Sequence, residues 1–164
     1  MIDNFEAAWE RWFILETNPK NPDAWHDDPD DAGGVTKYGI AQKYHPGIDV
    51  KNMTRDQAKE LLRAEYWKRY GLHLIRDKAL AVKTFTLSGF LGPGRAVNLL
   101  QQACQKLGAG IVADGKIGPA TSAWINSYRH PAAIEEAFES LATTYLLAKN
   151  KSKYIAGHLI RVDA

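Results

Sequence analysis

Glu16 ends an amphipathic pattern, and a loop crowded with aspartates follows it: Asp23, Asp27, Asp28, Asp30 and Asp31, with His26 among them. Phe5, Trp9, Trp12 and Glu16 are spaced four, three and four residues apart, so a helix carries all four on one face. Phe13 and Ile2 widen that face. A carboxyl held against Trp and Phe loses water from its charged form, so its pKa rises. That is the property a general acid needs near neutral pH. The alternative is a frayed helix end with Glu16 in water. The aspartates allow three readings. They are solvated turn formers. They form an oxygen-ligand cation site with His26, which the spacing of Asp28 and Asp30 favours and the missing terminal Glu of a calcium loop disfavours. Or one of them is the second carboxylate of a glycosidase pair facing Glu16.

The elements that must hold these groups are mostly helices. The first is expected over residues 3–16, with Asp3 as its cap. Residues 17–35 cannot be regular, because Pro19, Pro22 and Pro29 remove donors and Gly33-Gly34 invites positive φ. Residues 36–40 form a short strand or an extended turn, and helical pattern resumes near Ile40, stopping before Pro46-Gly47. Thr54 and Gln57 have the spacing of a capping box, opening a helix that Gly71 ends. Trp67 and Tyr70 give its last turn an aromatic wall. Residues 80–87 are β-rich in composition yet lie between helical patterns, so a buried helix is expected. Gly89, Gly92, Pro93 and Gly94 read as a tight loop. Helices follow over 95–107, 119–128 and 131–149, with a turn at 114–119. The tail, 154–162, is apolar enough to dock back.

Composition limits the classes. A chain of 164 residues with 45% hydrophobic and 24% charged residues is an ordinary globular composition with room for a core. Cys104 is the single cysteine, so no internal disulfide forms, and it reads as a small core residue. No apolar run of about 18 residues reads as a spanning helix. The N-terminal stretch lacks the basic start and apolar run of a signal peptide. The expected localisation is therefore synthesis in the cytoplasm and action in the periplasm or cell wall after release. Residues 1–75 carry a charge balance of −3 and residues 76–164 one of +5. That excess is small, and with no arginine-rich recognition helix it argues against nucleic acid.

Residues 28–40 resemble the D-P-x-D-x-G-G-x-T-x-Y-G-I signature of glycoside hydrolase family 108, the N-acetylmuramidases of phage endolysins and secretion-associated systems. The family's catalytic Glu ends the first helix, where Glu16 stands. Gly92-Pro93-Gly94-Arg95-Ala96-Val97 with Leu99-Leu100-Gln101, and Asp114-Gly115-Lys116-Ile117-Gly118-Pro119-Ala120-Thr121, are similar to motifs of the peptidoglycan-binding segment that accompanies the family. The ending, residues 157–162, is similar to the family's G-W-[LI]-x-R-V. The chain departs from the pattern after Glu16. Two glycines are expected there, but Thr17-Asn18-Pro19 stands instead, and Trp25 takes the place of the family's aromatic residue after an insertion.

The resemblance implies a mainly α, lysozyme-like helical domain with an irregular catalytic loop and a small helical C-terminal lobe. It divides into a catalytic region, 1–76, and a peptidoglycan-binding region, 77–164, packed as one unit. The implied reaction is hydrolysis of the β-1,4 bond between N-acetylmuramic acid and N-acetylglucosamine. Glu16 is the acid, Asp28 and Asp31 are candidates for the second carboxylate, and Thr36 is a candidate to hold water. Trp25, Tyr38, Gly34 and Arg95 are candidate substrate contacts, although Tyr38 is equally readable as packing. No cofactor or metal is expected. The expected partner is the peptidoglycan glycan strand, with a monomeric protein that neither inserts in a membrane nor binds nucleic acid. The competing readings are a lytic transglycosylase and a non-catalytic wall-binding module.

Overall fold

The computed structural model describes residues 3–27 and 33–149. Its regular elements are α1 (Phe5–Glu16), a hairpin of β1 (Thr36–Lys37) and β2 (Ile40–Ala41), α2 (Arg55–Leu62), α3 (Lys78–Leu91), α4 (Pro93–Lys106), α5 (Pro119–Ser127) and α6 (Pro131–Ala148). The fold is mainly α, as the periodicity predicts.

Local sequence sets the helix starts. Thr54 and Gln57 form the capping box: the Gln57 N–H donates to Thr54 Oγ1 at 3.2 Å, and the Thr54 N–H donates to Gln57 Oε1 at 2.8 Å. Asp77 Oδ1 accepts the Leu80 N–H at 2.8 Å and opens α3. Prolines occupy the first turns of α4, α5 and α6, where their missing N–H costs nothing. Asp3 acts one position earlier than expected: Asn4 is the cap residue of α1, and Asp3 Oδ1 accepts the Phe5 N–H at 3.1 Å.

The core is organised around α3, which packs on α1, α4 and α6. Leu80, Ala81, Phe85 and Leu87 are fully buried. The Phe85 ring meets Phe5, Trp12 and Trp67 at centroid distances of 5.7, 5.0 and 5.6 Å. This β-rich stretch stays helical because its hydroxyls bond back along the helix. Thr84 Oγ1 donates to the Leu80 carbonyl at 2.7 Å and Ser88 Oγ to the Thr84 carbonyl at 2.8 Å. Lys83, also buried, is neutralised by Glu139 at 2.5 Å and Glu135 at 3.7 Å, both on α6.

Three expectations are corrected. Residues 40–44 form β2 and a 3₁₀ turn (Gln42–Tyr44) rather than a helix, because Ile40 and Ala41 pair back on β1. Gly89 lies inside α3 rather than in a loop, and the loop reduces to Gly92. Beyond Leu62 the helix continues as a π-helical turn, Arg63–Lys68, with the Arg69 N–H reaching five residues back to the Ala64 carbonyl at 3.1 Å. The expected docking of residues 154–162 lies outside the described residues.

Candidate active site

The hairpin is closed by a two-residue turn, Tyr38-Gly39, with φ of +53° and +78°. Thr36 faces Ala41 and Lys37 faces Ile40. Two positive φ values in succession match the twist of a two-residue hairpin. Glycine takes this conformation freely, but tyrosine must be held in it. Three contacts hold Tyr38. The Trp12 Nε1–H donates to its carbonyl at 2.8 Å. Its ring stacks on Phe13 at 5.9 Å. Its hydroxyl donates to Asp23 Oδ1 at 2.6 Å. Burial, then the Asp23 hydrogen bond, pushes the Tyr38 hydroxyl up to about 12. The preceding loop is stitched on by His26, whose N–H and carbonyl exchange hydrogen bonds with Thr36 at 3.0 and 2.8 Å.

This anchoring brings the hairpin tip onto the end of α1, where Glu16 is half-buried. A Cβ built on Gly39 would lie 2.8 Å from Glu16 Cγ and 3.0 Å from Trp12 Cζ2 and Nε1. A Cβ built on Gly89 would lie 3.1 Å from Trp12 Cη2 and 3.3 Å from Glu16 Oε1. Glu16 therefore stands between two glycines from segments 50 positions apart in the chain, over the edge of the Trp12 indole. The absence of a side chain at both leaves the room it occupies.

Gly39 and Gly89 also line a groove of about 490 Å³, together with Tyr44, His45, Glu65, Tyr66, Arg69, Tyr70 and Phe90. The π-helical turn and the residues after it supply Glu65, Tyr66, Arg69 and Tyr70. Glu65 is paired with Arg69 at 2.6 Å. Burial, then Tyr70, Tyr44 and the carboxylates of Glu65 and Glu16, raise the Tyr66 hydroxyl above the usual tyrosine range. Burial lowers His45, opposed by Glu65, which favours the neutral imidazole. A carboxyl beside an aromatic-lined, polar-rimmed groove suits a ring-shaped polar substrate with a bond to be protonated.

The structure gathers some of the expected site residues and separates others. Glu16 is not itself in the groove's lining but lies against Gly39 and Gly89, which both line it. Tyr38 is only 3% exposed and packs against Phe13, so its role here is to position Trp12 and Gly39 rather than to offer a ring face. Trp25 is 44% exposed, with the Lys51 ammonium 4.2 Å from its ring, and is not among the groove's lining. Thr36 Oγ1 donates to the Gly34 carbonyl at 3.2 Å. Arg95 lines a different pocket and lies over the Tyr145 ring at 5.1 Å. Asp28 and Asp31 lie outside the described residues. Tyr44, Tyr66 and Tyr70 were missed by sequence reasoning as groove residues. The i, i+4 spacing of Tyr66 and Tyr70 was the one local signal available.

Residues 23–88 match the family model described as Glycosyl hydrolase 108. The matched segment runs from the loop after Glu16 through the hairpin and α2 into α3; it contains Gly39 and ends one residue before Gly89. No curated protein matches the chain. Among solved structures, SagA of Brucella abortus has a similar fold, with a TM-score of 0.72 and 22% identity over 96% of this chain and 92% of that one. The fold is thus mainly helical, and part of it resembles a glycoside hydrolase. Over residues 23–88 the chain is similar to glycosyl hydrolase family 108.

Proposed function

We propose that the protein is an N-acetylmuramidase that hydrolyses the β-1,4 bond between N-acetylmuramic acid and N-acetylglucosamine in peptidoglycan. The observation that carries this reading is the seat of Glu16: a carboxyl at the end of α1, enclosed by Gly39 and Gly89 beside a tyrosine-lined groove. Glu16 in its protonated form donates its proton to the departing glycosidic oxygen. Positive charge develops at the anomeric carbon, and a carboxylate from Asp28 or Asp31 stabilises it, attacks it, or activates water. Thr36 holds a water near the hairpin. Tyr44, 71% exposed, and Tyr70 take the faces of the sugar rings. The motifs of residues 92–101 and 114–121 bind the same polymer beyond the catalytic groove.

The test is mass spectrometry of the products released from purified peptidoglycan by the wild type and by Glu16→Gln. The amide is nearly isosteric but cannot protonate the leaving group. Reducing N-acetylmuramic acid ends from the wild type, lost in the variant at unchanged Tm, support the assignment. Activity of the variant near wild type removes Glu16 from the mechanism. Products with 1,6-anhydro ends indicate a transglycosylase. No products, with the protein pelleting on the wall, indicate a binding module. In a biological setting the reading corresponds to a phage endolysin that reaches the wall through a holin. Lysis on co-expression with a holin, and none without it, tests that role.

A further inference from the structure

A second pocket, of about 340 Å³, is formed by Tyr70, Gly94, Arg95, Asn98, Lys116 and the Asp114-Gly115 turn. Tyr70 lines this pocket and the groove beside Glu16 as well. On the other side Pro93 lines the groove and Gly94 the pocket. The two spaces are neighbours across one tyrosine and one peptide unit.

The pocket's floor is rigidly built. Gln101 is fully buried, and its amide satisfies the turn opposite: Nε2 donates to Asp114 Oδ1 at 2.9 Å and to the Lys116 carbonyl at 2.9 Å, while Oε1 accepts the Gly115 N–H at 2.8 Å. Gly115, at φ +81°, lies so close to α4 that a Cβ there would be 2.8 Å from the Gly94 carbonyl oxygen. The Ile117 N–H donates to the Tyr70 carbonyl at 2.9 Å. Asp114 is committed to this scaffold. Its Oδ1 also accepts the Lys116 N–H at 3.0 Å, and the Gln101 and Lys116 hydrogen bonds hold its pKa below the usual carboxylate range. The side chains at the mouth are different. Arg95 and Lys116 are exposed, and neither is ion-paired among the described residues. Lys116 feels the Asp114 carboxylate without a close ion pair, and Arg95 lies over the Tyr145 ring, so two exposed cations stand on a fixed frame, one tyrosine away from the groove.

We propose that this pocket is a subsite for the carboxylates of the peptide stem that branches from the glycan, with Arg95 and Lys116 as its anchors. The inference rests on the muramidase reading of the groove. A glycan lying along Tyr44, Tyr66 and Tyr70 is itself uncharged, apart from the lactyl and stem substituents. The anionic groups leave the sugar ring sideways, and the two cations lie to the side of the groove. Charge-assisted contacts of this kind discriminate between substituted and bare sugars rather than drive the chemistry. Arg95 and Lys116 are specificity-determining, not catalytic.

The experiment uses the full chain and two soluble substrates: glycan strands with intact stems, and the same strands stripped of stems by an amidase. The readout is the ratio of kcat/KM for stem-bearing to stripped strands. The wild type is expected to prefer stem-bearing strands. Arg95→Ala/Lys116→Ala is expected to bring the ratio down about tenfold, mainly through KM on the stem-bearing substrate. Lys116→Glu is expected to push it lower than Lys116→Ala does. Thermal melts establish that the variants fold. An unchanged ratio in the folded double variant, or an equal loss on both substrates, overturns the subsite while leaving the muramidase standing. A wild type that cleaves neither substrate overturns both.

Discussion

Gly89→Ala separates the site from the fold. Position 89 is exposed in the last turn of α3, so alanine there gains at most about 1 kcal/mol of helix propensity. The new methyl carbon would lie 3.1 and 3.2 Å from the Trp12 ring and 3.3 Å from Glu16 Oε1. Relieving the ring contact costs a similar amount, so the expected change in Tm is within about 3 °C. Activity should respond differently. A general acid must approach its leaving oxygen to about 2.6–3.2 Å, and the methyl would occupy that shell around Oε1 or displace the carboxylate. A misplacement near 1 Å costs about 100-fold, so kcat/KM is expected to fall between about 10- and 100-fold. The assay is the rate of new reducing ends from purified peptidoglycan, alongside a circular-dichroism melt. Wild-type activity at an unchanged Tm would refute the placement of Glu16 as the acid in this groove. A Tm loss above about 10 °C would mean that the packing argument, rather than the chemistry, failed.

Other perturbations have expected outcomes of their own. Trp12→Phe deletes the donor to the Tyr38 carbonyl and some ring volume, and should cost about 2–4 kcal/mol in a denaturant titration, with lower activity from the loosened hairpin. Tyr38 has a folded pKa near 12 against an ordinary 10, so its contribution is complete below about pH 10 and is lost as pH rises toward 12. Melts from pH 8 to 12 should therefore show a steeper alkaline loss for the wild type than for Tyr38→Phe, and parallel curves would contradict this. A fragment ending at residue 76 lacks α3, and with it Leu80, Phe85 and Leu87, each fully buried and each accounting for about 2 kcal/mol of apolar burial. It should be unfolded by circular dichroism, and a soluble, active fragment would show that the two regions are independent.

The parts of the fold written locally were legible. A capping box, prolines at the first turns of α5 and α6 and an aromatic stripe ending in Glu16 each fall within a single helix, and each is present. What was not legible depends on non-local encounters. Gly39 reads as part of a short strand or extended turn and Gly89 as part of a loop. Only the meeting of hairpin, α1 and α3 reveals that both are bare because Glu16 and Trp12 lie against them. Tyr38 and Trp25 were reasonable candidates for sugar contacts by residue type, yet exposure and packing decide such roles, and Tyr38 spends its ring on Phe13. The expected helix after Ile40 failed for the same reason: pairing with β1 outweighs the residues' own preference.

The direct tie between Trp12 and Tyr38 changes the meaning of the chain that joins them. The distance from acid to hairpin is fixed by one indole hydrogen bond and the Gly39 contact, not by the number of residues in between. Apart from Asp23 and His26, which tie it to the hairpin, the connection after Glu16 is thereby released from metric duty. Doubling such a loop costs only about 0.6 kcal/mol of closure entropy. The departure from the family pattern after Glu16 is then a change in an adjustable sleeve around a fixed mount. Segments of other lengths and chemistry can be exchanged there to retune what the enzyme meets at its rim while the acid stays where it is.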